Sequence, residues 1–123
     1  MTQHSKKVLV VDDEPGICEG VDLILGRAGF EVTKALSAEE AMALAEGEPF
    51  DVILMDMILP GMDGVEACAK LKLLRPETRI VAITGSPTGE RFERLLGAHQ
   101  IDQFLYKPFG KKELLEIVEK ALQ

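Results

Sequence analysis

Short apolar runs alternate along this chain with stretches in which apolar residues recur every three or four positions. Val8 to Val11 is the first run, and with Lys7 it predicts a strand that stops at Asp12-Asp13-Glu14. Pro15 suits the first turn of a helix, where its missing N–H costs nothing. Ile17, Val21, Ile24 and Leu25 follow at helical spacing, and Gly29 marks the stop. Glu31 to Ala35 alternates more weakly, with Val32 and Ala35 among polar residues, which suits an edge strand. Ser37-Ala38-Glu39-Glu40 has the form of a capping box and opens a helix carrying Ala41, Met42, Leu44 and Ala45, closed near Gly47.

The second half repeats the alternation. Val52 to Met55 is an unbroken apolar run, the pattern of a strand buried on both faces. Asp56 stands at its end, and Pro60, Gly61 and Gly64 enforce a loop. The next helix runs from Gly64 to Leu74 with Val65, Cys68, Ala69 and Leu71 apolar; Asp63 reads as its cap, and Pro76 forbids its continuation. Arg79 to Ile83 is another buried strand, reaching Thr84 before the turn Gly85-Ser86-Pro87. Phe92, Leu95 and Leu96 share one face of a shorter helix. Phe104-Leu105-Tyr106 is the last strand, ending at Lys107-Pro108, and the final helix carries Leu114, Ile117, Val118, Ala121 and Leu122. Tyr106 is expected to face opposite to Phe104.

Five strands alternating with five helices call for an α/β fold, a parallel sheet with helices on both faces. The 123 residues suffice for one domain, read here as 1–123 with a core of about 6–122. A net charge of −7 argues against direct nucleic-acid binding. No apolar run reaches the ~20 residues of a membrane span. Met1 to Lys7 lacks the apolar core of a signal peptide, so a cytoplasmic location is expected. Cys18 and Cys68 fit no metal spacing and fall at apolar helical positions. They read as buried free thiols with the sheet between them.

Polar groups stand at the ends of four strands: Asp12 and Asp13, Asp56, Thr84, and Lys107. Each alone has a plain reading: Asp12 and Asp13 as a helix cap and dipole partner, Thr84 as a turn residue, Lys107 as a solvated charge. His4 and His99 have no partner pattern and read as surface residues. Together the strand ends are complementary. In the doubly wound order 2-1-3-4-5 the first and third strands are neighbours at the switch point, where such sheets bind ligands. Asp12, Asp13 and Asp56 would then converge and repel, and Mg²⁺, which favours carboxylate and water oxygens, would relieve them. With the Lys107 ammonium and the Thr84 hydroxyl, the set suits a tetrahedral phosphoryl group, with Asp56 as the nucleophile.

Val10-Val-Asp-Asp-Glu14, Leu54-Met-Asp-Met-Ile-Leu-Pro-Gly-Met-Asp-Gly64, Ile83-Thr84-Gly85 and Lys107-Pro-Phe109 resemble the motifs of the response-regulator receiver domain of two-component signalling, in that family's order and spacing. The resemblance covers essentially the whole chain. It implies a flavodoxin-like (βα)5 fold, and the strand order 2-1-3-4-5 rests on it. It further implies a sensor histidine kinase or phosphotransfer protein as phosphoryl donor and Asp56 as acceptor. Mg²⁺ would be held by Asp13 and Asp56, by Asp12 mostly through water, and by the Ile58 main-chain carbonyl. Thr84 and Lys107 would bind the phosphoryl group, Lys107-Pro108 would be cis, and Phe104 would be an aromatic switch that turns inward with Thr84. Such a domain is a phosphoacceptor signalling module, not an enzyme acting on other molecules, although it catalyses its own phosphorylation and autodephosphorylation.

Its output is a protein partner or an attached output domain, with a phosphorylation-dependent homodimer as a further possibility. The sequence alone leaves open a single-domain regulator or one domain of a longer protein. By resemblance, the first helix near Ile17 and Pro108 is the kinase face, and the last strand and last two helices form the output face. The chain departs from the family at Gly85, where alanine is commoner, and at Phe104, which has no hydroxyl. Ile58 and Ser86 occupy positions that tune phosphoryl lifetime, and an aliphatic Ile58, unable to orient water, implies slow autodephosphorylation. Other readings fit less well. A haloacid-dehalogenase-type phosphatase needs a second Asp where Ile58 stands. A nucleotide-binding flavodoxin-like protein needs a glycine-rich loop where Asp12-Asp13-Glu14 stands. A pseudo-receiver would not keep the full acceptor set.

Overall fold

The computed structural model describes residues 6–59, 64–85 and 101–123. Its strands are β1 (Lys7–Val11), β2 (Glu31–Ala35), β3 (Val52–Asp56), β4 (Arg79–Thr84) and β5 (Gln103–Tyr106). They pair in parallel in the order β2-β1-β3-β4-β5. Four helices are described: α1 (Pro15–Arg27), α2 (Ala38–Gly47), α3 (Gly64–Leu74) and α4 (Lys111–Ala121). The helix read from Phe92, Leu95 and Leu96 lies outside the described residues, as do Pro60 to Asp63, the Ser86-Pro87 turn, His4 and His99. Among the described residues, no helix is long and apolar enough to cross a membrane.

Strand periodicity divides the core in two. Leu9, Val11, Ile53, Met55, Ile80 and Ala82 point to one face, under α2 and α3. Val8, Val10, Val52, Leu54, Val81 and Ile83 point to the other, under α1 and α4. No residue of β3 from Val52 to Met55 is more than 1% exposed. Burying each such side chain contributes roughly 1.5–3 kcal/mol, so the strand that ends at Asp56 is among the best anchored in the sheet. The weakly alternating β2 is an edge strand, as its pattern predicts. Cys18 and Cys68 are buried, not joined in a disulfide, and on opposite faces of the sheet.

Local signals read from the sequence are met in the backbone. Pro15 occupies the first turn of α1, and Gly29 takes φ +99° just beyond its end, a conformation side chains disfavour. Ser37 Oγ accepts the Glu40 N–H at 3.1 Å and caps α2. At the amino edge of the sheet, carboxylates are spent on backbone donors. Asp51 accepts the Lys7 N–H at 2.7 Å, and Asp102 accepts the Ile80 N–H at 2.8 Å while pairing with Lys72 at 2.9 Å. The carboxylates at the opposite edge are disposed differently.

Candidate functional site

Ladder hydrogen bonds carry the four strand ends to one edge and hold them there. Asp12 N–H donates to Ala35 O at 3.1 Å, Met57 N–H to Ile83 O at 3.0 Å, and Lys107 N–H to Thr84 O at 2.8 Å. Asp12, Asp56 and Thr84 are buried, at 0%, 5% and 1% exposure, whereas Asp13 is exposed. Asp12, Asp13 and Asp56 each offer a carboxylate oxygen within 4.8 Å of the others. The convergence expected from the strand order is therefore present.

Asp12 does not cap α1. Its Oδ1 accepts the Glu14 N–H at 2.9 Å, a turn two residues long, and the helix is entered through Glu14 with no side-chain cap. This removes the plain capping reading of that residue. Asp12 Oδ2 is buried and has no hydrogen-bond partner of good geometry among the described residues. It faces the Lys107 ammonium at 3.1 Å. Asp56 Oδ1 accepts the Ile58 N–H at 2.9 Å, and its Oδ2 lies 3.4 Å from the same ammonium. One lysine thus spans both buried carboxylates, a contact that sequence reasoning did not foresee.

Burial raises the Asp56 carboxyl above its ordinary value; the Ile58 N–H pulls it back down, and the charge of Asp12 pushes it up again. Burial alone would lower the Lys107 ammonium, but the bond to Asp12 and the charges of Asp56 and Asp12 outweigh it and leave it raised. Among the described residues, three carboxylates against one ammonium leave an excess of negative charge in a largely buried place. Asp12 Oδ2, buried and met by the Lys107 ammonium without a well-formed hydrogen bond, lies within that excess. Oxygen donors of this kind fit a hard divalent cation.

Ile58 projects its side chain outward at 70% exposure while its backbone grips Asp56. The Lys107–Pro108 peptide bond is cis. Phe104 is partly buried against the α2/α3 core. Tyr106 does not face away from it: the two rings stack with centroids 6.4 Å apart and planes 10° from parallel. Residues two apart on a strand share a face, so the expectation of opposite faces fails on the period of the pleat.

The family model for the response regulator receiver domain matches residues 8–119. The chain belongs to the response regulator receiver domain family. This receiver domain is 36% identical over 120 residues to the alkaline phosphatase synthesis transcriptional regulatory protein PhoP of Bacillus subtilis, a match covering 97% of this chain and 49% of that protein. The chain thus spans about half the length of that curated relative. A CheY-like receiver domain protein of Methanospirillum hungatei superposes with a TM-score of 0.91 at 34% identity, covering 97% of this chain and 94% of that one. The chemotaxis protein CheY4 of Vibrio cholerae gives 0.90 at 32%, covering 97% and 100%. The receiver domain therefore belongs to two-component signalling, and its sheet order is that of its structural relatives.

Proposed function

We propose that this receiver domain takes a phosphoryl group from the phosphohistidine of a sensor histidine kinase or phosphotransfer protein onto Asp56, and that the change alters its surface for a protein partner, an output domain or a second copy. The carrying observation is the pairing of buried Asp56 and Asp12 by one ammonium beside the exposed Asp13. Asp13, Asp56, the Ile58 carbonyl and, through water, Asp12 would hold Mg²⁺. Once bound, the cation supplies charge neutralisation for the phosphoryl oxygens and orients the donor.

The chain's own groups do the rest. A carboxylate oxygen of Asp56 attacks phosphorus while the phosphorus–nitrogen bond to the donor imidazole breaks and its electron pair returns to the ring. The product is an acyl phosphate. The Ile58 N–H fixes the Asp56 carboxylate by holding Oδ1. Lys107 moves from the carboxylates to a phosphoryl oxygen, and the Thr84 hydroxyl donates to another. As Thr84 is drawn in, Phe104 turns inward. An apolar groove of about 470 Å³ beside Lys107, lined by Gly16, Ile17, Gly20, Ile24, Pro108 and Phe109, supports α1 as the face that meets the donor.

Intact mass after incubation with Mg²⁺ and a small acyl-phosphate donor tests this reading. A single adduct that requires Mg²⁺ and is removed by hydroxylamine is expected, and it is absent in Asp56→Asn. An adduct of equal yield in Asp56→Asn would overturn the assignment. Phosphoryl lifetime carries a second prediction. Ile58 is exposed and aliphatic, so its side chain offers no polar atom to orient an attacking water. Ile58→Asn is expected to speed decay of the adduct by about tenfold, less than the roughly 10²–10⁴-fold of a fully positioned proton-transfer group because an amide can only orient the water. An unchanged decay rate sinks this account of the lifetime.

A further inference from the structure

We propose that Tyr106 is a positioning residue that holds the switch in its resting state by stacking on Phe104, an inference that rests on the reading of Asp56 as acceptor with Thr84 and Phe104 as the moving pair. Parallel register sets Phe104 beside Ala82 and Tyr106 beside Thr84. In-register neighbours and residues two apart share a face, so Thr84, Ala82, Phe104 and Tyr106 form one patch at the β5 edge. Within it the aromatic planes lie 10° from parallel with centroids 6.4 Å apart, inside the separation at which aromatic pairs attract. Tyr106 is 49% exposed and Phe104 partly buried, so the pair joins a solvent-facing ring to the ring that must move.

Inward rotation of Phe104 takes its ring off the Tyr106 face. The stack therefore favours the resting state and opposes the phosphorylated one. With no hydroxyl on Phe104, packing against neighbours is what sets its preferred position, and the Tyr106 ring is one of those neighbours. Removing the Tyr106 ring lowers the free-energy cost of the active state while keeping the side chains of Asp56, Thr84 and Lys107 in the chain. Since the chain has one tyrosine and no tryptophan, its tyrosine emission reports on residue 106 alone.

The test is titration of the Mg²⁺-loaded protein with beryllofluoride, a phosphoryl stand-in, in wild type, Tyr106→Phe, Tyr106→Ala, Phe104→Ala and the double variant. Tyr106→Ala is expected to bind about threefold tighter, within the range set by one aromatic pair. Tyr106→Phe, which keeps the stack, is expected to match wild type, and the gain is expected to vanish in the Phe104→Ala background. Wild-type tyrosine emission is expected to shift on binding and to stay constant in Phe104→Ala. Equal affinity in Tyr106→Ala, or a gain that survives in Phe104→Ala, overturns the latch while leaving Asp56 as acceptor. Failure of wild type to bind beryllofluoride at all overturns the acceptor reading and the latch with it.

Discussion

Gly64→Ala is expected to cost the fold about 3 kcal/mol, at the upper end of what overpacking does to a close-packed site. A methyl group built at Gly64 would lie 2.8 Å from both Cα and O of Met57. Both are backbone atoms, held where Met57 N–H bonds to Ile83 O at 3.0 Å, so neither can yield as a side-chain tip would. The clash has two outlets. Either α3 moves away from the sheet, or the β3 end carrying Asp56 is pushed out of register. Urea denaturation measures the first: the midpoint should fall with little change in slope. Gly85→Ala serves as control, because a methyl there meets no atom of the described residues within 4 Å. Equal stability for Gly64→Ala and wild type would show that the approach of α3 to Met57 is looser than described.

Lys107→Ala is expected to bind Mg²⁺ about tenfold more tightly, about 1.4 kcal/mol, while accepting phosphoryl groups more slowly. In the resting protein the ammonium sits 3.1 Å from Asp12 and 3.4 Å from Asp56, so an entering cation must dislodge it. Such a contact is worth a few kcal/mol at an effective dielectric of about 20, most of it recovered when the lysine turns to water. The same substitution strips the buried Asp12 Oδ2 of its countercharge, and the Mg²⁺-free variant should lose about 1–3 kcal/mol of stability. Saturating Mg²⁺ should restore most of that loss. Calorimetric titration at fixed ionic strength checks the affinity, and thermal melts with and without Mg²⁺ check the rest. Weaker Mg²⁺ binding in Lys107→Ala would mean that the ammonium supports the cation site instead of competing for it.

Much of this was legible in the sequence because the signals were local. Val52 to Met55 is too apolar and too short for anything but a central strand, and Asp56 follows it directly. Ser37, Pro15 and Gly29 mark element ends by chemistry that depends on few neighbours. The strand order was not legible in that way. It is a long-range pairing, and it came from the likeness of four motifs to one family. Nor was the sharing of Lys107 between Asp12 and Asp56, since residues 12, 56 and 107 meet only once the sheet is assembled. Asp12 looked like a helix cap because capping and turn formation use the same short carboxylate; only the observed bond to Glu14 N–H separates them. Gly64 reads as a loop former, while its closest constraint is the backbone of Met57, seven residues earlier, a close approach that residue types alone do not reveal. Phe104 and Tyr106 lie two residues apart on one strand, so the two-residue period puts them on one face, contrary to the expectation of opposite faces.

The central claim is that Asp56 carries the phosphoryl group, and the most direct test is to mark that carbon. Borohydride reduces an aspartyl phosphate to homoserine, so the protein would be treated with Mg²⁺ and a small acyl-phosphate donor, reduced, digested and its peptides sequenced by mass. Homoserine at position 56, dependent on both Mg²⁺ and donor, is the result this account predicts. Homoserine at position 12 or 13, with Asp56 intact, would contradict it.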